Sequence, residues 1–288
     1  MGEIAAAYVA GALSLEDAAR VVCTRSRLLR RKRGQGAMAL FERDATTLRA
    51  ELGQWAPALA IAACNGPRST VLSGEPAAIE AALAHFTARG VFCRRIRVDV
   101  ASHSAQMDDL RGELLQDLAG LQPRAAAIPI YSTVSGAVID HKGLDASYFV
   151  RNLREPVLFD RAIAALLASG YGLFVELSPH PILLPAIEEI FHDQASDKPA
   201  RCFPSMQREH DEQRVIVETL GGLYAAGLPV DFSRINPPGR CVPLPSYPWQ
   251  HRRYFLPGPV AAQSSRSPDS SAAGAATTTA TASPSRIR

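Results

Sequence analysis

Between Ala37 and Val98 the hydrophobic period switches repeatedly between two and 3.6 residues, and no other stretch restricts the fold as much. Ala37 to Phe41 reads as a strand and Ala45 to Leu52 as a short helix. Leu59 to Asn65 and Ser69 to Ser73 read as strands around Asn65-Gly66-Pro67, a turn signal. Glu75 to Arg89 carries Ala, Ile and Leu at helical spacing, and Cys93 to Val98 alternates like a strand. The order β-α-β-β-α-β is that of a split βαβ unit, so residues 37–98 are expected to form a ferredoxin-like subdomain.

The flanks have a different character. Glu3 to Ala10 is Ala-rich and helical, and Gly11 breaks it. Ser14 followed by Asp17 is a capping-box pattern for a second helix. Leu15, Ala18, Ala19, Val22, Ser26 and Leu29 mark the expected inward stripe of that helix. At roughly 100° per residue, Arg20, Arg27 and Arg31 fall opposite that stripe, and Arg25 falls at its edge. After a polar loop, Asp99 to Ser104, a helix is expected with Met107, Leu110, Leu114, Leu118 and Leu121 along one face. Strands over Ile128–Thr133 and Leu173–Leu177 then alternate with helices over Tyr148–Asn152, Phe159–Ser169, Ile182–His192 and Arg214–Ala226. Such alternation predicts an α/β layer, formed by residues 1–36 and 99–200, into which the ferredoxin-like block is inserted. Residues 201–257 are read as a C-terminal helix and linker. The Ser/Ala/Thr-rich residues 258–288 lack the large apolar side chains that ordering requires, so a disordered tail is expected there.

Composition narrows the function classes. The 47% hydrophobic and 20% charged residues exclude a mostly disordered chain. A net charge of +3 supplies no large basic field, which argues against nucleic acid as a partner. No apolar run approaches the ~18 residues of a membrane span, and the N-terminus has no signal-peptide pattern. The five cysteines are odd in number, scattered and without a C-x-x-C pair, so reduced thiols in a cytoplasmic protein are expected rather than disulfides or zinc.

Two residues stand out chemically. His103 lies between a strand and a helix N-terminus, whose positive end disfavours imidazolium. A neutral imidazole suits a general base near pH 7. On spacing alone, a polar loop histidine with no role is the commoner case. Arg25, beside a buried face, needs an anionic or polar partner. An internal salt bridge is the commoner reading for it. The run Arg30-Arg31-Lys32-Arg33 closes a helix C-terminus, where cations suit the macrodipole.

The motifs carry more than the spacing does. The opening Met-Gly-Glu-Ile-Ala-Ala-Ala-Tyr-Val resembles the segment just after the nucleophile in acyltransferase domains of modular type I polyketide synthases, relatives of malonyl-CoA:acyl-carrier-protein transacylase. Arg-Ser-Arg-Leu-Leu (25–29), Gly-Gln-Gly-Ala-Met-Ala (34–39), Asn-Gly-Pro-Arg-Ser (65–69) and Ala-Ser-His-Ser (101–104) match further. So do Tyr-Ser-Thr-Val-Ser-Gly (131–136), Asn-Leu-Arg-Glu-Pro-Val (152–157) and Glu-Leu-Ser-Pro-His-Pro (176–181). Residues 244–255, Leu-Pro-Ser-Tyr-Pro-Trp-Gln-His-Arg-Arg-Tyr-Phe, look like the linker that closes such domains.

The resemblance implies an α/β-hydrolase-like large subdomain, incomplete at its N-terminus, with the ferredoxin-like subdomain inserted. It implies an acyl-enzyme mechanism: a serine on a nucleophile elbow attacks an acyl-CoA thioester, and carrier-protein phosphopantetheine accepts the acyl group. No bound cofactor is implied. His103 matches the family's base and Arg25 the residue that binds the free carboxylate of a malonyl-type substrate. Asn152 matches the position that orients the histidine, and Asn65 one near the pocket. Val100-Ala101-Ser102-His103-Ser104 matches the family's methylmalonyl pattern, Tyr-Ala-Ser-His-Ser, at all but its first position. The serine where malonyl enzymes keep phenylalanine leaves room for an α-methyl branch. Acyl carrier protein and neighbouring synthase domains are the implied partners, the ketosynthase side through the 244–255 linker.

In this register Met1 is the x of Gly-His-Ser-x-Gly, and the nucleophile falls immediately before it. The chain as given is therefore expected not to catalyse acyl transfer by that route, and its helices to lie over absent central strands. A non-catalytic remnant that contacts carrier protein or synthase neighbours is the alternative. A patatin-type lipase is a further rival, against which Arg25 and the Tyr-Pro-Trp-Gln-His linker argue.

Overall fold

The computed structural model describes residues 1–194, 200–236, 238–252 and 254, and the tail expected over 258–288 lies outside them. The chain divides into a unit Met1–Ile235 and a unit Asn236–Arg288. In the first, α1 (Gly2–Val9) leads to α2 (Leu15–Leu29) and a 3-10 turn (Arg30–Lys32). Next come β1 (Ala37–Phe41), α3 (Ala45–Glu51), β2 (Leu59–Gly66), β3 (Ser69–Gly74), α4 (Pro76–Ala88) and β4 (Cys93–Ile96). A 3-10 segment (Ala105–Leu110) runs into α5 (Arg111–Asp117), and β5 (Ile130–Ser132) and β6 (Ala137–Ile139) form a hairpin. The unit ends with α6 (Ala146–Arg154), β7 (Val157–Leu158), α7 (Phe159–Ala168), β8 (Leu173–Glu176), α8 (Leu184–Asp193), β9 (Arg201–Pro204) and α9 (Glu212–Ala225).

The ferredoxin-like block forms with its strands in the order β4-β1-β3-β2, all antiparallel. Side chains alternate across β1: Ala37, Ala39 and Phe41 are buried. Phe41 meets Phe86 of α4 edge to face, with ring centroids 5.4 Å apart. Leu48 of α3 and Leu72 of β3 close the same core. The structure adds a fifth strand. β7 pairs in parallel with β2 at Ala63 and Cys64, tying this sheet to the rest of the unit.

Outside that sheet, the described strands occur only as two pairs, β5-β6 antiparallel and β8-β9 parallel. β6, β7 and β9 were not expected from the sequence, because strands of two to four residues show too little alternation to read. The helix expected from Met107 begins as a 3-10 segment, although Met107, Leu110, Leu114 and Leu118 are buried as expected. Ile4, Ala7, Val21, Leu28 and Phe149 complete the core shared by α1, α2, α5 and α6.

The phase of α2 requires correction. Its buried residues are Asp17, Ala18, Val21, Arg25 and Leu28, whereas Leu15 is 65% exposed and Ala19 and Ser26 face solvent. Arg25 therefore lies in the middle of the stripe. Ser14 caps the helix as expected: its Oγ accepts from Asp17 N at 3.0 Å and donates to the Asp17 carboxylate at 2.9 Å. Arg27, Arg31 and Lys32 are engaged by Glu113, Asp117 and Asp109 across the neighbouring segment. Gly36 leaves this bundle where the 99–101 loop crosses. A Cβ there would lie 2.1 Å from Ala101 N, so no larger residue fits.

In the second unit, residues 238–252 form neither helix nor strand and are exposed. Tyr247 and Trp249 pair edge to face with centroids 4.8 Å apart. Phe255, the last residue of the linker motif, lies outside the described residues.

Candidate active site

A cavity of about 500 Å³ opens where α1, α2, β5, α6 and the 103 loop meet. Met1, Glu3, Arg25, His103, Thr133 and Asn152 supply its polar wall, and Ile130, Val157, Phe159, Leu166 and Leu183 much of its apolar wall. Polar groups converging on an apolar concavity are the usual make-up of a small-molecule site.

Two carbonyls of one segment clamp His103. Its backbone N–H donates to Leu153 O at 3.0 Å, and its ring Nδ1 donates to Glu155 O at 2.8 Å. The residue has a φ of +62°, a left-handed conformation that a side chain as large as histidine adopts only when its surroundings impose it. With the proton on Nδ1, the lone pair is on Nε2, the arrangement a base needs. Burial pushes the imidazole pKa down to about 4, and the Arg25 guanidinium and the N-terminal ammonium add to that shift against the pull of the Glu155 carbonyl. The helix N-terminus invoked from the sequence is only a 3-10 turn, and desolvation is the main reason the ring stays neutral.

Arg25 is only 8% exposed. Its Nη1 donates to Asn152 Oδ1 at 2.8 Å, and its other N–H groups make no hydrogen bond to the described residues. Burial lowers its pKa, and nearby Glu3 opposes that shift. Asn152 thus bonds Arg25 and, through Nδ2, the Glu3 carboxylate at 3.0 Å. It makes no bond to His103. The ring is held instead by the backbone carbonyl of Glu155, while the Asn152 amide bonds Arg25 of α2 and Glu3 of α1.

The remaining expected residues lie off the cavity wall. Asn65 is half-buried on β2. Ala101 is buried against Gly36, while Val100 and Ser102 are half-buried in the same loop. Ser104 turns inward, donating to Ala101 O at 2.7 Å and accepting from Gln106 N at 3.3 Å, so it caps the 3-10 segment. Sequence reasoning missed Glu3, Ser132, Thr133, Tyr148 and Glu155. Only their presence in or beside the matched motifs could have flagged them.

Among the described residues, no three His, Cys, Asp or Glu side chains are grouped to hold a metal ion, and no helix is long and apolar enough to cross a membrane.

Comparisons with known proteins give the family and the fold. Residues 1–227 match the family model for the acyl transferase domain. The spectinabilin polyketide synthase system protein NorC of Streptomyces orinoci is 45% identical over 262 residues, covering 91% of this chain and 11% of that protein. Erythronolide synthase EryA2 of Saccharopolyspora erythraea is 41% identical over 255 residues, covering 88% of this chain and 7% of that protein. The chain thus spans a small part of these relatives. Among solved structures, the acyltransferase domain from module 8 of the salinomycin polyketide synthase superposes with a TM-score of 0.77 at 40% identity, over 81% of this chain and 54% of that one. The malonyl CoA-acyl carrier protein transacylase of Coxiella burnetii shares the fold, with a TM-score of 0.65 at 24% identity, over 76% of this chain and 68% of that one. With the family model matched over residues 1–227 and relatives at 41–45% identity along about nine-tenths of its length, this chain belongs to the acyl transferase domain family.

Proposed function

We propose that this chain carries the acyl-binding and base-bearing part of a polyketide synthase acyltransferase that moves a carboxylated extender unit from acyl-CoA to carrier-protein phosphopantetheine. The supporting observation is that Arg25 and His103 open into the same cavity of about 500 Å³. A guanidinium pairs well with a free carboxylate, and a neutral imidazole is suited to proton transfer at the other end of a short dicarboxylic acyl group. Met1 lines the same cavity, so a serine immediately before it in a longer polypeptide would lie beside His103. His103 Nε2 would take the serine Oγ proton as Oγ attacks the thioester carbonyl, and return it to the departing CoA sulfur. The carrier-protein thiol would then release the acyl group by the reverse sequence.

Within this reading the extender is methylmalonyl, on the strength of the Val100-Ala101-Ser102-His103-Ser104 motif. Acyl carrier protein and adjoining synthase domains are the partners, residues 244–255 serve as the closing linker, and the setting is cytoplasmic. Residues 37–98 act as the inserted subdomain between 1–36 and 99–200.

The test is a polypeptide in which a relative's preceding residues, ending in Gly-His-Ser, are joined to Met1. Intact mass after incubation with methylmalonyl-CoA should show one acyl adduct, lost on addition of carrier protein bearing phosphopantetheine. Absence of an adduct with any acyl-CoA contradicts the mechanism, and faster turnover of malonyl-CoA contradicts the assigned extender.

A further inference from the structure

Glu3 borders the cavity, and its carboxylate is taken up by three side chains from α6 and the β5–β6 turn. Asn152 Nδ2 donates to Oε2 at 3.0 Å and Thr133 Oγ1 to the same oxygen at 2.6 Å, while Tyr148 OH donates to Oε1. Tyr148 is in turn 2.6 Å from Ser132 Oγ, which accepts from the backbone N–H of Val134 at 3.0 Å and of Ser135 at 3.2 Å. A carboxylate only accepts, so each hydroxyl has one possible direction. Tyr148 gives its proton to Glu3, and Ser132 gives its own to Tyr148. Asn152 must then turn its NH₂ toward Glu3, which leaves only its carbonyl oxygen for Arg25. Donor-only Arg25 and acceptor-only Glu3 thus fix the amide from its two ends; without an acceptor at position 3 the NH₂ loses its partner and the amide is free to swing off the guanidinium.

We propose that Glu3, held by Tyr148 and Thr133, is a positioning residue: by dictating the orientation of the Asn152 amide, it aims Arg25 at the substrate's free carboxylate and so sets selectivity for carboxylated over plain acyl groups. The burial that disfavours the Arg25 charge makes this support matter, because a guanidinium with a misdirected partner is costly in a dry site. The inference rests on the proposed role of Arg25 and extends it to the residue that fixes its hydrogen-bond partner.

Calorimetric titration of the full 288-residue chain with methylmalonyl-CoA and with propionyl-CoA tests it, since the two ligands differ only by the carboxylate. The unmodified chain should prefer methylmalonyl-CoA, and Arg25→Ala should abolish the preference. Glu3→Gln is nearly isosteric and should cut the preference about tenfold, the order expected for losing one well-directed hydrogen bond to a charged group. The loss should fall on methylmalonyl-CoA affinity alone. Tyr148→Phe keeps Glu3 and Asn152 and should give a smaller loss of the same sign; it decides the matter if thermal melts show that Glu3→Gln does not fold. If Arg25→Ala abolishes the preference while Glu3→Gln and Tyr148→Phe leave it intact, the inference fails and the reading of Arg25 stands. Equal weakening of both ligands by Glu3→Gln means a merely structural role and also overturns it. No preference in the unmodified chain refutes the reading of Arg25 and the inference together.

Discussion

The ferredoxin-like sheet and the polar cradle around Arg25 are built over very different distances along the chain. Every antiparallel pair of the sheet joins residues within 37–96. The cradle joins Arg25 to Asn152 across 127 residues, Asn152 to Glu3 across 149, and Tyr148 to Glu3 across 145. The sheet is held by apolar area, which tolerates imprecise geometry. The cradle is held by hydrogen bonds whose directions must all agree. Stability should therefore reside mainly in the first and selectivity in the second, and substitutions can separate the two.

The largest expected effect is on stability. Phe86 is fully buried, packs edge to face on Phe41 and belongs to the core that also holds Leu48, Ile61 and Leu72. Phe86→Ala should cost roughly 3–5 kcal/mol, the range for emptying an aromatic site in a packed core. Denaturant unfolding measures it. In conditions where the variant is folded, its preference for methylmalonyl-CoA over propionyl-CoA should equal that of the parent chain. A lost preference would show that the sheet and the cradle are one cooperative element.

The same contrast explains what could be read from the sequence. The sheet was legible because each element announces itself within a dozen residues: the apolar run Ala37–Phe41, the Asn65-Gly66-Pro67 turn, the helical spacing of Ala, Ile and Leu over 75–89. β7 was not, since two residues carry no pattern and its existence depends on β2 lying alongside. The phase of α2 was misjudged because Arg25 counts as polar in any periodicity, although the fold buries it between Val21 and Leu28. His103 and Arg25 were singled out by local placement, but their partners were not. Nothing near Glu3 in the chain says that Tyr148 and Thr133 will meet it, and no spacing rule shows that Glu155 offers a backbone carbonyl to His103.

The next effect in size depends on pH. A histidine whose pKa falls from about 6.5 in the unfolded chain to about 4 in the folded one binds its proton less well when native. Below pH 6.5 the unfolded state takes up the extra proton, so stability falls as pH drops from about 6.5 toward 4 and the loss is complete below that. A shift of this size corresponds to about 3 kcal/mol. Asparagine tolerates the left-handed conformation at position 103, so His103→Asn should remove this component without adding backbone strain. Unfolding free energies at pH 7 and pH 4 should differ less for His103→Asn than for the parent by about that amount. Identical pH profiles would mean that the ring is freely hydrated and that burial does not set its protonation.

The smallest effect probes where the two regions share an element. Helix α2 begins at a local signal, the Ser14 cap, and carries Arg25 near its other end. Ser14→Ala removes an acceptor for Asp17 N–H and should cost about 1 kcal/mol, the usual size for an N-cap. The damage should stay in the first turn, because fraying propagates only as far as tertiary packing allows, and Ala18 and Val21 are buried between the cap and Arg25. Thermal unfolding should therefore show a small loss while the preference for the carboxylated ligand is unchanged. If Ser14→Ala instead lowers that preference as much as Glu3→Gln does, the aim of Arg25 is set by the position of the whole helix rather than by the Asn152 amide, and the cradle acts only as packing. The cap thus discriminates between a guanidinium directed by its helix and one directed by its hydrogen-bond partner, two arrangements that look alike in a static structure.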